Sequence, residues 1–401
     1  MIRCTLNTVR NFSVLLILFL MTTPLHPAAA VQTGLDTLER SGFAILKGKR
    51  VALVTNRSAV NGRGTGIVEL FAGNGINVVK VFTPEHGFTA REDTTVADGK
   101  LGDVPLISLY GKTKKLNPAD LSDVDVCIYD IQSVGARYYT YIATMVYAMQ
   151  ACAATETAMI VCDRPNPSGG NIVSGFMPEK GLTGHFTSMY PIPIRHGMTM
   201  GELAAMFNSE YSLGCRLTVI RMKGWNRSMI FSETGLPWIN PSPNIQREEA
   251  AILYTGIGWL ETTSLSMARG TPHAFERLGA PYIDGRKLAS AVGSVNGFVI
   301  RPVRFVPRAK YHKFYGKECY GIEIMMKNKR YADAFSLSLR IYCALSRLYP
   351  EEFKDHGGLP VSCGRRSLRT LLAKRGTDAV WQDSWKEIQL FKHIRRKYLF
   401  Y

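Results

Sequence analysis

The chain has 401 residues, of which 46% are hydrophobic and 20% charged, and its formal net charge is +17. This composition is typical of a globular protein and excludes a disordered or collagen-like chain. The length predicts about two to three domains, with a core large enough to need no disulfide. Beyond the N-terminal stretch no apolar run is long enough to cross a bilayer, which excludes a multi-span transporter.

Residues 1–30 have the pattern of a secretory signal peptide. Arg3 and Arg10 precede and flank a short apolar run at 13–21, and small residues at 28–30 provide a cleavage site. An uncleaved anchor is the alternative, but the apolar run is short for a membrane span. We therefore expect an extracytoplasmic protein, located in the periplasm or alternatively secreted, with no membrane span after cleavage.

The mature chain is still strongly basic. Residues 1–30 contain two basic and no acidic residues, so their removal lowers the net charge from +17 to +15. A basic protein is attracted to polyanions, which include nucleic acid, anionic membrane surfaces and anionic cell-wall polymers. No RRM, KH or helix-turn-helix pattern supports nucleic-acid binding, so we expect no nucleic-acid partner.

Several motifs of cofactor and metal chemistry are absent from the sequence. The seven cysteines of the mature chain form no CxxC pair, and there is no GxGxxG, GxxxxGK[ST], HExxH or GxSxG motif. We therefore expect no cofactor and no metal. Cys127 and Cys162 lie in apolar runs and are predicted to be buried free thiols, while a disulfide elsewhere stays open.

Short apolar runs alternate with helical patterns in the first part of the chain. The predicted strands are at 50–55, 76–82, 124–129 and 158–162, and the predicted helices are at 66–72 and 138–154. This alternation predicts an α/β fold with a mostly parallel sheet, whose ligands bind beyond the carboxyl ends of the strands. Polar residues follow each strand: Asn56, Glu85, His86, Asp130, Gln132, Asp163, Arg164 and Asn166. Ordinary loop polarity is the alternative, but four such strand ends favour a site.

The later segments are less regular. A capped helix is predicted at 199–208, with Thr199 and Glu202 as a capping box, and a strand at 217–222. A proline-rich rigid loop follows at 237–244, where Trp238 either packs in the core or stacks on a sugar ring. We place a domain boundary near residue 249, ahead of further ordered segments at 297–304, 320–326 and 332–348.

The basic, aromatic C-terminus allows two interpretations. The stretch at 385–401 either binds a polyanion or forms a helix that docks Leu390 and Phe391 while its charges stay solvated.

Nine motifs of this sequence resemble the NamZ-like exo-β-N-acetylmuramidases, a family of glycoside hydrolases. They occur in family order over about residues 45–401: TPEHGF (83–88), SLYG (108–111), DIQSVGARYYTYIATM (130–145), DRPNPSGG (163–170), PIRHGMTMGELA (193–204), GW (224–225), PWINPSPN (237–244), ETTSLSMARGTPHAFERLGAP (261–281) and KYLFY (397–401).

The resemblance implies a Rossmann-like N-terminal domain at 31–248, a smaller α+β domain at 249–401 and a site in the cleft between them. It implies release of N-acetylmuramic acid from the non-reducing end of peptidoglycan-derived saccharides, without a cofactor and with Glu85 as the acid/base. The sequence departs from the family pattern at Thr89, Ala90 and Ser133. These departures motivate the alternative of a catalytically impaired peptidoglycan-binding protein; the oligomeric state is left open.

The residues themselves fit glycoside hydrolysis, which needs a proton donor and stabilisation of a cationic ring. A carboxyl group shielded in a cleft can hold a proton near neutral pH, and we hypothesise that Glu85 is this acid. Candidates for the second carboxylate are Asp130, Asp163 and Glu261, although Asp163 can instead orient Arg164. Retention or inversion depends on the distance between the carboxyl groups and stays open.

Muramic acid carries a lactyl carboxylate, for which a bidentate arginine is the natural partner. Four arginines of the matched motifs are candidates: Arg137, Arg164, Arg195 and Arg269. His86 and His196 can bond sugar hydroxyls or serve the structure. Tyr138, Tyr139 and Tyr141 are expected to divide between the core and the cleft. The other predicted substrate-binding residues are Asn56, Gln132, Asn166 and Glu261.

Overall fold

The computed structural model describes residues 31–401, and the predicted signal peptide lies outside them. Among the described helices, none combines the length and the apolar character that a membrane crossing requires.

The first part of the chain forms a seven-stranded sheet. Its strands are β1 (Val51–Thr55), β2 (Val78–Thr83), β3 (Gly99–Leu101), β4 (Val104–Ser108), β5 (Val126–Asp130), β6 (Ala158–Cys162) and β7 (Leu217–Ile220). The strand order is β3-β4-β2-β1-β5-β6-β7, and every neighbouring pair is parallel except β3 with β4. The predicted α/β fold with a mostly parallel sheet is therefore confirmed.

Both faces of this sheet are covered, so its central strands are apolar throughout. Side chains alternate between the faces of a strand, and Ala52 and Val54 accordingly join one apolar cluster while Val51 and Leu53 join the other. The helices of this part are α1 (Gly34–Arg40), α2 (Ile67–Gly73), α3 (Tyr141–Ala154) and α4 (Met200–Glu210). The predicted capping box of Thr199 and Glu202 begins α4.

The second part is a smaller α+β unit, as expected. It contains an antiparallel sheet in the order β8-β10-β9. Its elements are α5 (Glu248–Ile257), β8 (Arg277–Ala280), α6 (Gly285–Val292), β9 (Phe298–Phe305), β10 (Cys319–Met326), α7 (Ala334–Leu348), α8 (Leu359–Cys363) and α9 (Leu368–Arg395). One apolar cluster extends from Ala52 to Phe391 and thus joins both parts.

Two side chains of the C-terminal helix behave differently from each other. Phe391 is buried at 2% exposure, as predicted, but Leu390 is 64% exposed and its predicted docking is wrong. Adjacent residues of an α-helix point about 100° apart, so one apolar face cannot take both. Cys127 and Cys162 are buried free thiols, as predicted.

Candidate active site

A cavity of about 590 Å³ lies where the two parts of the chain meet. Its walls combine residues that follow β2 and β4 with residues of the second part. The residues used below are Glu85, His86, Asp93, Tyr110, Lys114, Tyr138, Tyr139, Thr140, Phe186, Glu261, Arg269 and His312. A second cavity of about 750 Å³, between α7 and α9, has no carboxylate in its lining and therefore offers no acid for hydrolysis.

The turn after β2 directs Glu85 into the cavity. β2 ends at Thr83, Pro84 follows, and the amide of Gly87 donates to the carbonyl of Pro84 (3.0 Å). His86 has a φ of 73°, in the left-handed region that side chains rarely adopt. Strained backbone of this kind is concentrated at functional sites, where surrounding contacts hold it in place.

The carboxyl group of Glu85 contacts hydroxyl groups rather than cations. Thr140 Oγ1 donates to Glu85 Oε2 at 2.6 Å. Within residues 31–401, no lysine, arginine or histidine nitrogen lies within ion-pair distance of this carboxyl group. A hydroxyl can donate to a carboxylate or accept from a carboxylic acid, so Glu85 can take up and release a proton without losing its partner.

Tyr110 reaches the same carboxyl group from the neighbouring strand. β4 runs parallel to β2, and the amide of Leu109 donates to the carbonyl of Thr83 (2.8 Å), so the residues after both strands emerge side by side. Burial, and then the charge of Glu85 and a hydrogen bond to it, raise the pKa of Tyr110. Tyr110 is therefore a neutral phenol at physiological pH.

The cavity lining also contains a charged group around Arg269. Arg269 binds Glu261 through Nε and through Nη2 (2.9 Å), and its Nη1 lies 3.4 Å from Asp93 Oδ1. His312 Nε2 lies 3.0 Å from Asp93 Oδ2. Burial acts to raise the pKa of Asp93, but His312, Arg269 and Asn244 outweigh it and hold this pKa below its usual value. Asp93 is therefore ionised at neutral pH.

The predicted tyrosines divide as expected. Tyr138 and Tyr139 line the cavity, whereas Tyr141 is fully buried outside the lining and its hydroxyl bonds the carbonyl of Pro241. His86 also lines the cavity, and its Nδ1 bonds the carbonyl of Glu92 at 2.6 Å. Trp238 lies outside the lining and packs edge-on against Phe231, with ring centroids 4.8 Å apart, so it is a packing residue.

The structure corrects the prediction that Asp130 is catalytic and that Arg164 binds substrate. Both are buried, at 0% and 5% exposure, and neither lines the cavity. Arg164 binds Asp130 through Nε and through Nη2 (3.0 Å), and its Nη2 also donates to the carbonyl of Val60 (2.8 Å). This ion pair joins the ends of β5 and β6 beneath the site.

Asp163, the other predicted catalytic aspartate, likewise lies outside the cavity lining. Its carboxyl group is fully buried and accepts from Thr199 Oγ1 (2.7 Å), the amide of Gly201 (2.8 Å) and the hydroxyl of Tyr401 (2.8 Å). Burial raises its pKa to about 6, against the effect of these hydrogen bonds. Asp163 therefore fixes the start of α4 and the C-terminal residue.

Two of the predicted carboxylate-binding arginines are bonded inside the protein. Arg137 donates to the carbonyls of Phe176 (2.6 Å), Ile192 (3.0 Å) and Ser362 (2.9 Å). Arg195 donates to those of Ala332 (2.6 Å) and Ser168. Burial lowers the pKa of each to about 10, so both stay charged. They connect the two parts of the chain and do not line the cavity.

The remaining polar candidates also lie outside the lining. His196 is 1% exposed, and burial lowers its pKa to about 3, so it is neutral. Asn56 donates to the hydroxyl of Tyr141 (3.0 Å), Gln132 to the carbonyl of Pro165 (2.8 Å) and Asn166 to that of Met198 (3.0 Å). The structure thus bonds these side chains to the loops around the sheet edge and does not bring them to the cavity, contrary to the expectation from the sequence.

Several cavity residues were not predicted from the sequence. Tyr110 and Thr140 lie within quoted motifs, SLYG and the segment 130–145, so a signal was present for them. Asp93, Lys114 and His312 lie in polar loops where no spacing distinguishes them. The departures from the family pattern at Thr89, Ala90 and Ser133 are all outside the cavity lining.

A cleft acid without a cationic partner, in a cavity of sugar size that also contains an ionised carboxylate, is the arrangement of a glycoside hydrolase. The chain belongs to the NamZ family: the model of "Exo-beta-N-acetylmuramidase NamZ, N-terminal" matches residues 51–249 and that of the C-terminal domain matches residues 252–401.

Known proteins agree with this assignment. The peptidoglycan beta-N-acetylmuramidase NamZ of Bacillus subtilis (strain 168) is 39% identical over 383 residues, which cover 92% of this chain and 91% of the relative. Crystal structures of two DUF1343 family proteins from Bacteroides fragilis NCTC 9343 have the same fold. One has a TM-score of 0.84 at 32% identity, covering 93% of this chain and 99% of its own. The other has a TM-score of 0.75 at 30% identity, covering 92% and 99%.

Proposed function

We propose that this protein is an exo-β-N-acetylmuramidase that releases N-acetylmuramic acid from the non-reducing end of peptidoglycan fragments, with Glu85 as the proton donor. The observation that carries the proposal is the position of Glu85: its carboxyl group lines the cavity and is held by the hydroxyl of Thr140. The sequence relation to a curated peptidoglycan β-N-acetylmuramidase supports the substrate class.

The carboxyl groups that line the cavity differ in their partners, and we assign their roles from this difference. Glu85 contacts neutral donors and can carry the proton that the leaving oxygen requires. Asp93 is ionised and Glu261 is bonded to Arg269, and we assign to these two groups the negative charge that stabilises an oxocarbenium-like ring. Glu261 stays a candidate for the second carboxylate, and Asp93 joins it in place of Asp130 and Asp163.

Hydrolysis of chromogenic β-N-acetylmuramic acid glycosides tests the acid role. Glu85→Gln keeps the side-chain shape, and we expect it to lower kcat by about 10²–10⁴-fold for a substrate with a sugar or alkyl leaving group. The loss is expected to be much smaller with 2,4-dinitrophenol, which leaves without protonation. Equal losses with both leaving groups would show that Glu85 is not the proton donor.

A neighbouring carboxylate provides the matched control. Glu92 is exposed and lies outside the cavity lining. Glu92→Gln is expected to keep wild-type turnover, and both variants are expected to keep the wild-type melting temperature. Near-normal turnover by Glu85→Gln would overturn the assignment.

We further propose that residues 1–30 export the protein to the periplasm, and that secretion is the alternative destination. The support is the order of basic residues, apolar run and small residues in that segment. A cell-wall polysaccharide as substrate fits an extracytoplasmic location.

A further inference from the structure

We propose that Lys114 binds the lactyl carboxylate of N-acetylmuramic acid and thereby selects muramyl over glucosaminyl substrates; this inference rests on the proposed function. N-acetylmuramic acid differs from N-acetylglucosamine by its lactyl ether, which is an anion at neutral pH. A cation in the cavity that is available to a ligand therefore favours N-acetylmuramic acid over N-acetylglucosamine.

Arg269 is the other fixed cation of the cavity lining, and its charge is already paired with carboxylates. The guanidinium of Arg269 is bound to Glu261 and lies beside Asp93, so two carboxylates share its charge. With Glu85, three carboxylates line the cavity against two fixed cations, Arg269 and Lys114. Arg269 therefore has little charge left to attract an anionic group of the substrate.

Lys114 has no carboxylate partner among the described residues. Its Nζ instead lies over two aromatic rings that line the cavity, 4.7 Å from the ring centroid of Phe186 and 5.2 Å from that of Tyr110. An aromatic face attracts a cation without neutralising its charge or occupying all of its N–H donors. The ammonium group is thus held at the cavity and is available to a ligand carboxylate.

The segment that carries Lys114 is fixed on both sides. Before it, Tyr110 is adjacent to Glu85 and stacks on Phe186, with ring centroids 6.0 Å apart. After it, the amide of Lys115 donates to Thr113 Oγ1 (3.1 Å), which forms a local turn. Lys114 is thus held beside the rings of Tyr110 and Phe186, of which Tyr110 adjoins Glu85.

Binding of the two free sugars tests the proposal without requiring turnover. N-acetylmuramic acid and N-acetylglucosamine are titrated into the full chain by calorimetry, together with the methyl ester of N-acetylmuramic acid. We expect Lys114→Met to lower the affinity for N-acetylmuramic acid about fivefold or more. The affinities for N-acetylglucosamine and for the methyl ester are expected to stay unchanged. The preference of the wild type is expected to decline with added salt, as for a partly exposed ion pair.

Two variants control for general effects. Lys114→Arg keeps the charge and is expected to retain the preference for N-acetylmuramic acid. Lys115→Met removes the adjacent lysine, whose Nζ lies over Tyr147 at 5.3 Å outside the cavity lining, and is expected to have no effect. Lys114 is exposed, so its replacement leaves the fold intact.

The possible outcomes separate the two proposals. Unchanged affinity of Lys114→Met for N-acetylmuramic acid, or equal losses in the Lys114 and Lys115 variants, would overturn the role of Lys114. If the wild type hydrolyses no muramyl glycoside but binds N-acetylmuramic acid in a Lys114-dependent way, the enzymatic function fails while the binding role stands.

Discussion

Replacing Asp130 with asparagine tests whether its carboxylate has a structural or a catalytic role. Asp130 is 0% exposed and Arg164 is 5% exposed, and within residues 31–401 Asp130 is the one carboxylate that pairs with this arginine, through two hydrogen bonds. The variant leaves this guanidinium buried without a counter-charge, with the carbonyl of Val60 and a single amide oxygen as its acceptors. Breaking one side of a buried ion pair costs about 3–5 kcal/mol, a large part of the roughly 5–15 kcal/mol that stabilises a typical domain.

Urea denaturation measures this loss. The two parts of the chain share one apolar cluster, so we expect a single cooperative transition with an unchanged slope and a lower midpoint for Asp130→Asn. The double variant Asp130→Asn/Arg164→Met removes both charges and is expected to be less destabilised than the single variant. Asp125→Asn, which breaks the exposed pair with Arg50, is expected to change stability far less.

Activity completes the comparison. Folded Asp130→Asn is expected to turn over muramyl glycosides within a few-fold of the wild type, because Asp130 does not line the cavity. A loss of stability below about 1 kcal/mol would contradict the cost assigned to the unpaired arginine. A loss of kcat as large as that of Glu85→Gln, in a variant of normal stability, would contradict the structural role.

Two further predictions concern the backbone and the N-terminus. Ala90 is buried with a φ of 52°, so Ala90→Gly should stabilise the protein by about 1 kcal/mol in thermal or urea unfolding. The control is Ala205→Gly within α4, which should destabilise the protein by about 0.5–1 kcal/mol. If Ala90→Gly also destabilised the protein, the backbone of Ala90 would not be strained. N-terminal sequencing of the protein from a periplasmic fraction should begin at about residue 31, whereas a full-length chain in the membrane fraction would support the uncleaved anchor.

The sheet could be predicted because its signal is local. Four predicted strands correspond to β1, β2, β5 and β6 within two residues at each end, since short β-branched runs between turn residues leave few alternatives. The strands β3, β4 and β8 were not anticipated. β3 lies in a polar stretch, and a three-residue strand has too little periodicity to distinguish it from a turn.

The site was predicted less completely. The predicted residues that line the cavity are Glu85, His86, Tyr138, Tyr139, Glu261 and Arg269, and the other predicted catalytic and substrate-binding residues do not. Sequence position places residues at the same sheet edge but does not tell whether a side chain points outward or packs beneath the edge. Asp130 and Glu85 both follow parallel strands, yet only Glu85 enters the cavity, since Arg164 pairs with Asp130.

The sequence alone determined the parallel sheet, the family resemblance and the glutamate in the turn after β2, because each depends on neighbouring residues along the chain. Tertiary structure decided which charges are available to a ligand. Arg137, Arg164 and Arg195 are bonded within the protein, Arg269 is shared between Glu261 and Asp93, and Lys114 has aromatic rings as neighbours. The physical reason is that the availability of a charge depends on partners that lie far away in sequence, which only folding brings together.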